Sequence, residues 1–399
     1  MYKETVGGIK YFGDIDPKAI AQMENCLSDP RARYASIMGD GHYGYQIPIG
    51  GVVGYSNAVS PSGVGYDIAC GNKCVLIDAD ASDVRKNISK IMDDIFSNIS
   101  FGVGRINQSS VESPLLDDTD IWKENPMKDL HQLASNQLGT IGSGNHFVDV
   151  FSDELDRVWI GIHCGSRGFG HKIATYFLEK ANAPQAMDEP PCVLGMDSTL
   201  GEDYFRAMKI AGEYAYAGRD WICKEVAKII GANIIEEVHN HHNFCWEENH
   251  FGEDIYVVRK GSTPAFPGQK CFVGGSMGDI SVILEGVESE ESESILYSTV
   301  HGAGRVMGRM EAKGKIKFDK ETKERRVVRE PKISREDMDT WLRGMNVELR
   351  GADVDESPQA YKRLPEVLAH HDGTIKIVHT LTPLGVCMAG SDVRDPYKD

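Results

Sequence analysis

Apolar residues recur along this chain in two rhythms. Over residues 82–99, Val84, Ile88, Ile91, Met92, Ile95 and Phe96 fall at helical spacing, with Ser82 placed to cap the helix. Residues 203–230 hold the longest helical pattern, and 171–180 a shorter one. Between them lie short unbroken apolar runs that predict buried strands: Val75-Leu76-Ile77, Val158-Trp159-Ile160-Gly161-Ile162-His163 and Ile255-Tyr256-Val257-Val258. From 38 to 71, glycines at 39, 41, 44, 50, 51, 54, 63, 65 and 71 separate runs such as Ile47-Pro48-Ile49 and Val52-Val53. Short strands and tight loops follow, with backbones that approach one another or a ligand closely.

Two strands end in suggestive loops. The 158–163 strand delivers His163 into the turn Gly165-Ser166-Arg167-Gly168-Phe169-Gly170, and the 255–258 strand opens onto Arg259-Lys260-Gly261-Ser262. Loops at strand ends are where α/β folds usually build their sites. Two charged stretches read instead as surface. Residues 288–294 are most simply a solvated loop. Residues 313–329 carry Lys315, Lys317, Lys320, Lys323, Arg325, Arg326 and Arg329 among acids, so an exposed insertion near 311–332 is expected, or else an RNA-facing element. With no low-complexity linker and no repeat, residues 1–399 are expected to form a single domain.

Composition narrows the class. Hydrophobic residues make up 41% and charged residues 26%, as in ordinary soluble proteins. No run of 18 apolar residues suggests a membrane span. The start Met1-Tyr2-Lys3-Glu4-Thr5 lacks the apolar stretch of a secretory signal, and nine scattered cysteines fit reduced thiols, so a cytoplasmic protein is expected. A net charge of −17 makes a poor general nucleic-acid coat but is compatible with an enzyme that grips nucleic-acid ends in a locally basic cleft.

The candidate chemistry is concentrated in a few segments. Asp67 and Cys70 stand three residues apart, beside Gly65 and Gly71, and can point one way from a turn. A carboxylate with a thiolate suits Mn²⁺, Zn²⁺, Co²⁺ or Fe²⁺ better than Mg²⁺ or Ca²⁺. His146 follows Asn145 in Gly-Ser-Gly-Asn-His, and His163 precedes a Gly-Ser-Arg-Gly turn that offers backbone N–H groups and the Arg167 guanidinium to an anion. In His239-Asn240-His241-His242-Asn243, at most one or two imidazoles can face the same metal, because neighbours in an extended chain point to opposite sides. His301 sits among Gly302, Ala303, Gly304, Arg305 and, further on, Arg309. A histidine among phosphate-binding groups can itself attack phosphorus. Gly275-Ser276-Met277-Gly278 is a further anion-friendly loop.

Taken in order, these segments resemble the RtcB family of RNA-splicing ligases. The resemblance runs from about 38 to 390 and rests on Met-Gly-Asp-Gly-His at 38–42, Gly-Tyr-Asp-Ile-Ala-Cys-Gly at 65–71, Gly-Ser-Gly-Asn-His-Phe at 142–147 and His-Cys-Gly-Ser-Arg-Gly at 163–168. His-His-Asn-Phe at 241–244, the Arg-Lys-Gly loop, Gly-Ser-Met-Gly and His-Gly-Ala-Gly-Arg-Val-Met follow.

The resemblance implies an α+β fold, with mixed sheets around a deep central metal and nucleotide cleft. It implies an enzyme that joins RNA 3′-phosphate or 2′,3′-cyclic phosphate ends to 5′-hydroxyl ends. Asp67, Cys70, His146, His163 and His242 would hold two Mn²⁺ ions, with Cys70 bridging. His301 would be guanylylated by GTP and must be neutral to attack. Asn145 and Asn243 would contact nucleotide phosphates, and Ser276, Gly302, Ala303 and Gly304 would line the nucleotide site. Tyr361 would lie near guanine, and Arg167, Arg305 and Arg309 would hold phosphates of GTP or of the RNA ends. Two positions depart from the family pattern, both in groups that read guanine. Asp149 replaces a longer Glu, and Met388-Ala389-Gly390 replaces a terminal Lys-Gly, with residues 391–399 following. Two other readings keep part of this chemistry: a metal-dependent hydrolase of cyclic phosphates, and an inactive RNA-end binder.

Overall fold

The strand Arg157–Cys164 is largely apolar because both its faces are covered, and it lies inside the larger of the two main sheets. That sheet runs in the order Ile234–His241, Gly71–Asp80, Arg157–Cys164, Phe147–Asp153, Ile375–Met388, Ser281–Gly286, Lys270–Val273, with Glu348–Arg350 joining in parallel beside Ile375–Met388. Its two edges nearly meet. Phe272 N donates to Asn240 Oδ1 at 3.2 Å, and Asn72 Nδ2 donates to Phe272 O at 3.0 Å, so side-chain amides link strands that no backbone ladder joins. The computed structural model describes residues 1–318, 325–391 and 393.

The second sheet has six strands, ordered Lys3–Glu4, Lys10–Tyr11, Ala32–His42, Ile49–Tyr55, Glu253–Lys260, Asn243–His250. The chain passes from the larger sheet to this one at a single residue, His242, between Ile234–His241 and Asn243–His250. The helices Ala81–Asn98 and Thr199–Ile230 cover the larger sheet, contributing Val84, Ile91, Met92, Ile222 and Val226 to a core shared with Val75, Ile160 and Ile162. Each such side chain contributes roughly 1.5–3 kcal/mol when fully buried. The mixed α+β architecture agrees with the expectation from sequence.

Local details correct that expectation in places. Asp80, not Ser82, caps the first long helix: it ends its strand extended, and its carboxylate accepts from Ser82 N and Asp83 N. The later helices start earlier than their apolar patterns, at Arg167 and Thr199; the second is capped by Ser198, which accepts from Gly201 N. The acidic stretch expected to be a loop forms the short helix Glu290–Ser294, because Ser289 caps it. Glu291 from this helix accepts from Tyr2 N at 2.9 Å. In the basic segment, Lys315–Phe318 and Arg325–Arg329 pair antiparallel as a separate two-stranded sheet. Lys320 and Lys323 lie outside the described residues, as does the tail beyond 391 except Val393. Among the described residues, no helix is long and apolar enough to cross a membrane.

Candidate functional site

Four ligand-type side chains stand at one end of four strands of the larger sheet. Cys70 precedes Gly71–Asp80, His146 precedes Phe147–Asp153, His163 is the last but one residue of Arg157–Cys164, and His242 follows Ile234–His241. The register brings them level: Gly71 pairs with both Cys164 and His241, and Phe147 pairs with His163. Asp67 reaches the same place through a turn in which Cys70 N donates to Asp67 O at 3.1 Å. The turn places Ala69 in the left-handed region, φ 57°, at a cost of about 1–3 kcal/mol. Backbone bonds on either side hold it: Ala69 N donates to Asn243 O at 2.7 Å and His242 N to Cys70 O at 2.8 Å. Residue 165 must be glycine, since a Cβ there would come within 2.2 Å of Asp67 Oδ1.

The resulting cluster has two parts that share Cys70. Its Sγ lies 3.1 Å from His163 Nε2 and 3.4 Å from His146 Nε2. His163 Nε2 is 3.3 Å from His242 Nε2, and His146 Nε2 is 3.1 Å from Asp67 Oδ2. Cys70, His163 and His242 form one potential metal-binding group, and Asp67, Cys70 and His146 the other. The tautomers follow from the far nitrogens: Nδ1 of His146 meets Ile141 O at 3.0 Å and Nδ1 of His163 meets Asn145 O at 3.1 Å. A carbonyl only accepts, so each Nδ1 carries the proton and each Nε2 presents a lone pair to the cluster.

Electrostatics point the same way. Burial, reinforced by neighbouring imidazoles, holds His163 and His242 well below the usual histidine range, so both stay neutral. Burial pushes the Asp67 carboxyl up, but the His146 ring 3.1 Å away and the Arg167 guanidinium outweigh it and bring Asp67 to about 2. Burial and the Asp67 charge push the Cys70 thiol well up, a shift that a bound cation reverses by stabilising the thiolate. A carboxylate, a thiol and three imidazole nitrogens thus converge within reach of a shared cation. The donor set therefore fits divalent transition metals. A third group, Asp153, Glu154 and His379, differs: Arg157 already fills it, 2.6 Å from Asp153 and 3.1 Å from His379.

His301 lies beside this cluster, its ring centroid 4.7 Å from that of His242. The buried Asp40 fixes it: Oδ2 lies 2.6 Å from His301 Nδ1 and accepts the backbone N–H groups of His301 at 3.1 Å and Gly302 at 3.3 Å. Burial raises the Asp40 pKa, but the charge and hydrogen bonds of His301 overcome this and hold it below the usual carboxylate range. With Nδ1 so engaged, Nε2 is the free nitrogen. Asp40 was missed from sequence as a functional residue. It lies within the Met-Gly-Asp-Gly-His motif, but nothing local ties it to a histidine 261 residues away.

Asp67, Cys70, His163 and His242 of the cluster, together with His301, open into a cavity of about 1160 Å³, whereas His146 lies behind its lining. Of the remaining candidates, Asn145, Asp149, Asn243, Ser276, Gly302, Ala303, Gly304, Arg305, Arg309 and Tyr361 also line it. Asn243 Oδ1 accepts from Gly261 N at 2.8 Å, and its Nδ2 donates to Asp67 O at 3.3 Å. Asp149 is buried, its Oδ1 has no hydrogen-bond partner, and burial pushes its pKa well up, so the acid is neutral. Ala389 does not line the cavity but packs in the apolar core behind it. Arg167 does not line it either; its guanidinium lies behind His146, 3.3 Å from Nδ1. Arg305 and Arg309 reach the cavity already paired with Glu356, and Tyr361 also hydrogen-bonds Glu356 and Arg305. Glu356, too, was not singled out from sequence, since a lone acid in Asp355-Glu356 carries no local signal.

Comparison with known proteins agrees with this arrangement. Residues 22–389 match the model of the family described as tRNA-splicing ligase RtcB. The RNA-splicing ligase RtcB of Escherichia coli K12 is 30% identical over 389 residues, covering 90% of each chain. The tRNA-splicing ligase RtcB of Archaeoglobus fulgidus is 31% identical over 455 aligned positions, covering 93% of this chain and 91% of its own. A homologue from Entamoeba dispar, RNA-splicing ligase RtcB homolog 1, is 27% identical and covers 94% of this chain. The match spans every segment that builds the cluster and the His301 loop, and the chain belongs to the RtcB family.

Proposed function

We propose that this protein is an RNA ligase that joins 3′-phosphate or 2′,3′-cyclic phosphate ends to 5′-hydroxyl ends, using GTP and two Mn²⁺ ions, in tRNA splicing or RNA repair. Its relatives are named RNA-splicing or tRNA-splicing ligases, and the reading extends that to this chain's own residues. The observation that carries it is His301, held through Nδ1 by Asp40 at 2.6 Å, with Nε2 free beside the ligand cluster. The Asp40 carboxylate fixes the tautomer and stabilises positive charge as the ring attacks the α-phosphorus of GTP. Pyrophosphate leaves, and the GMP passes to the RNA 3′-phosphate. The 5′-hydroxyl then attacks that activated phosphate and GMP departs.

Cys70, His163 and His242 would hold one metal ion, and Asp67, Cys70 and His146 the other. Bound there, the ions would neutralise phosphate charge and polarise the P–O bonds being broken. Arg305 and Arg309 exchange their Glu356 pairing for substrate phosphates, and the neutral Asp149 offers both a donor and an acceptor to the nucleobase. The setting is the cytoplasm, where the nine free cysteines stay reduced.

The test is end joining. RNA with a 2′,3′-cyclic phosphate and RNA with a 5′-hydroxyl are incubated with protein, Mn²⁺ and GTP. Joined product is expected with the wild type and none with His301→Ala. Opening of the cyclic phosphate without joining, equal in both proteins, would identify a hydrolase instead.

A further inference from the structure

Arg219 projects from the helix Thr199–Ile230 and is fully buried directly behind the ligand cluster. Its guanidinium touches three of the four segments that present a ligand, those of Cys70, His163 and His242 but not that of His146. Nη1 donates to Ala69 O at 3.0 Å, one residue before Cys70, and to Cys164 O at 2.5 Å, one residue after His163. Nη2 donates to His241 Nδ1 at 2.8 Å, one residue before His242. Nε donates to His239 Nε2 at 2.8 Å, further back on the same strand.

The surroundings are shaped to this group. Gly71 lets the guanidinium lie against the strand: a Cβ there would sit 3.2 Å from Arg219 Cζ and 2.3 Å from Asn240 O. One turn back on the helix, Tyr216 stacks on the face of His241 at 3.9 Å and 26°, with Arg219 Cζ 5.3 Å from the Tyr216 ring centroid.

The charge is the unusual part. Arg259, also fully buried, is matched by Glu248 through two hydrogen bonds at 2.7 and 2.9 Å. Arg219 has no ion pair among the described residues; carbonyl oxygens and imidazoles take up its N–H groups. Burying a cation without a carboxylate is costly, and here only the carbonyls and imidazoles of the ligand-bearing segments offset it. A lysine there would supply the charge but not the planar fork that bonds three segments at once.

We propose that Arg219 is the positioning residue of the metal centre, fixing the mutual spacing of Cys70, His163 and His242 from behind. It touches neither substrate nor metal. This inference rests on the reading that those three side chains bind a metal.

The test is equilibrium Co²⁺ titration of full-length protein, followed by the thiolate-to-cobalt absorption band, with Mn²⁺ as competitor and thermal melting alongside. Arg219→Lys should weaken Co²⁺ binding about 10–100-fold, the range for groups that orient ligands, and shift the band. His241→Phe keeps the stacked ring and removes only one acceptor; it should weaken binding a few-fold and leave the melting temperature near that of the wild type. His239→Phe removes the contact farthest from a ligand and should stay within about twofold of the wild type. If Arg219→Lys fails to fold, His241→Phe alone decides. Wild-type affinity and band in both Arg219→Lys and His241→Phe would overturn the inference. Losses that merely follow melting temperature, with His239→Phe as damaging as His241→Phe, would overturn it too. A wild-type protein that binds no Co²⁺ would overturn the metal reading itself and this inference with it.

Discussion

Two regions of the same cavity hold their charges in different ways. At the strand ends, Cys70, His146, His163 and His242 bring a sulfur and three imidazole nitrogens within 3.1–3.4 Å contacts of one another, with no carboxylate–guanidinium pair among these four side chains. Around Glu356, Arg305 and Arg309 are already neutralised by a buried carboxylate, with the Tyr361 hydroxyl beside them. The donor set of the first region fits a cation, and its side chains are set by the sheet register. The second is a closed ion-pair network. On the proposed reading, a metal would meet side chains already in place while a phosphate would displace a carboxylate, so anion binding should be the step coupled to local rearrangement.

The comparison can be broken most sharply at Cys70, the one ligand in both groups. Cys70→Ala should reduce tightly bound Mn²⁺ from two equivalents to none, whereas His146→Ala should remove only one, as read by metal analysis after equilibrium dialysis. Equal losses in the two variants would mean that the groups do not share the thiolate. Next in size is Glu356→Gln, which leaves buried guanidinium charge underpaired. Stability should fall by about 2–4 kcal/mol. Millimolar pyrophosphate should restore much of it in thermal melts, and no rescue would show that these arginines cannot exchange the carboxylate for phosphate.

A smaller effect is expected at Asp149. Burial keeps this acid neutral, so Asp149→Asn replaces one uncharged group with another of similar shape. The melting temperature should hardly change, while relative adduct yields among the four nucleoside triphosphates should shift several-fold. Unchanged base preference would remove Asp149 from the base-reading role. A further effect concerns pH. Burial lowers His42 to about 4 and His371 to about 3, from an ordinary 6.5. The unfolded chain therefore binds more protons between those values, so this contribution is present above pH 6.5 and is lost as pH falls toward 4. Melting of the metal-free protein should drop over that interval; a flat profile would contradict the neutral, buried state of these rings.

Much of this was legible in the sequence, and the gaps have physical reasons. The apolar runs located the central strands, and the histidine-bearing segments at their ends marked the candidate residues, while the choice of Asp67, Cys70, His146, His163 and His242 as a ligand set came from the family resemblance. Asp40 and Glu356 escaped notice because their roles exist only through partners distant in sequence. Arg219 was hidden for the opposite reason: within a 32-residue helix, an arginine reads as solvated surface, and only tertiary packing buries it. Arg167 matched a phosphate-binding turn by composition, yet its side chain folds back behind His146, which no local pattern encodes. The cap on the first long helix moved from Ser82 to Asp80 because the preceding strand ends later than its apolar run.

The central claim is that His301 carries the nucleotide. It is tested most directly by incubating the protein with Mn²⁺ and each of the four α-labelled nucleoside triphosphates, then mapping protein-bound label by peptide mass spectrometry. The account predicts a single nucleotidyl adduct on His301, with GTP as the best donor, absent in His301→Ala and reduced in Asp40→Asn. Label on another residue, or no label from any nucleotide under conditions where Mn²⁺ is bound, would contradict it.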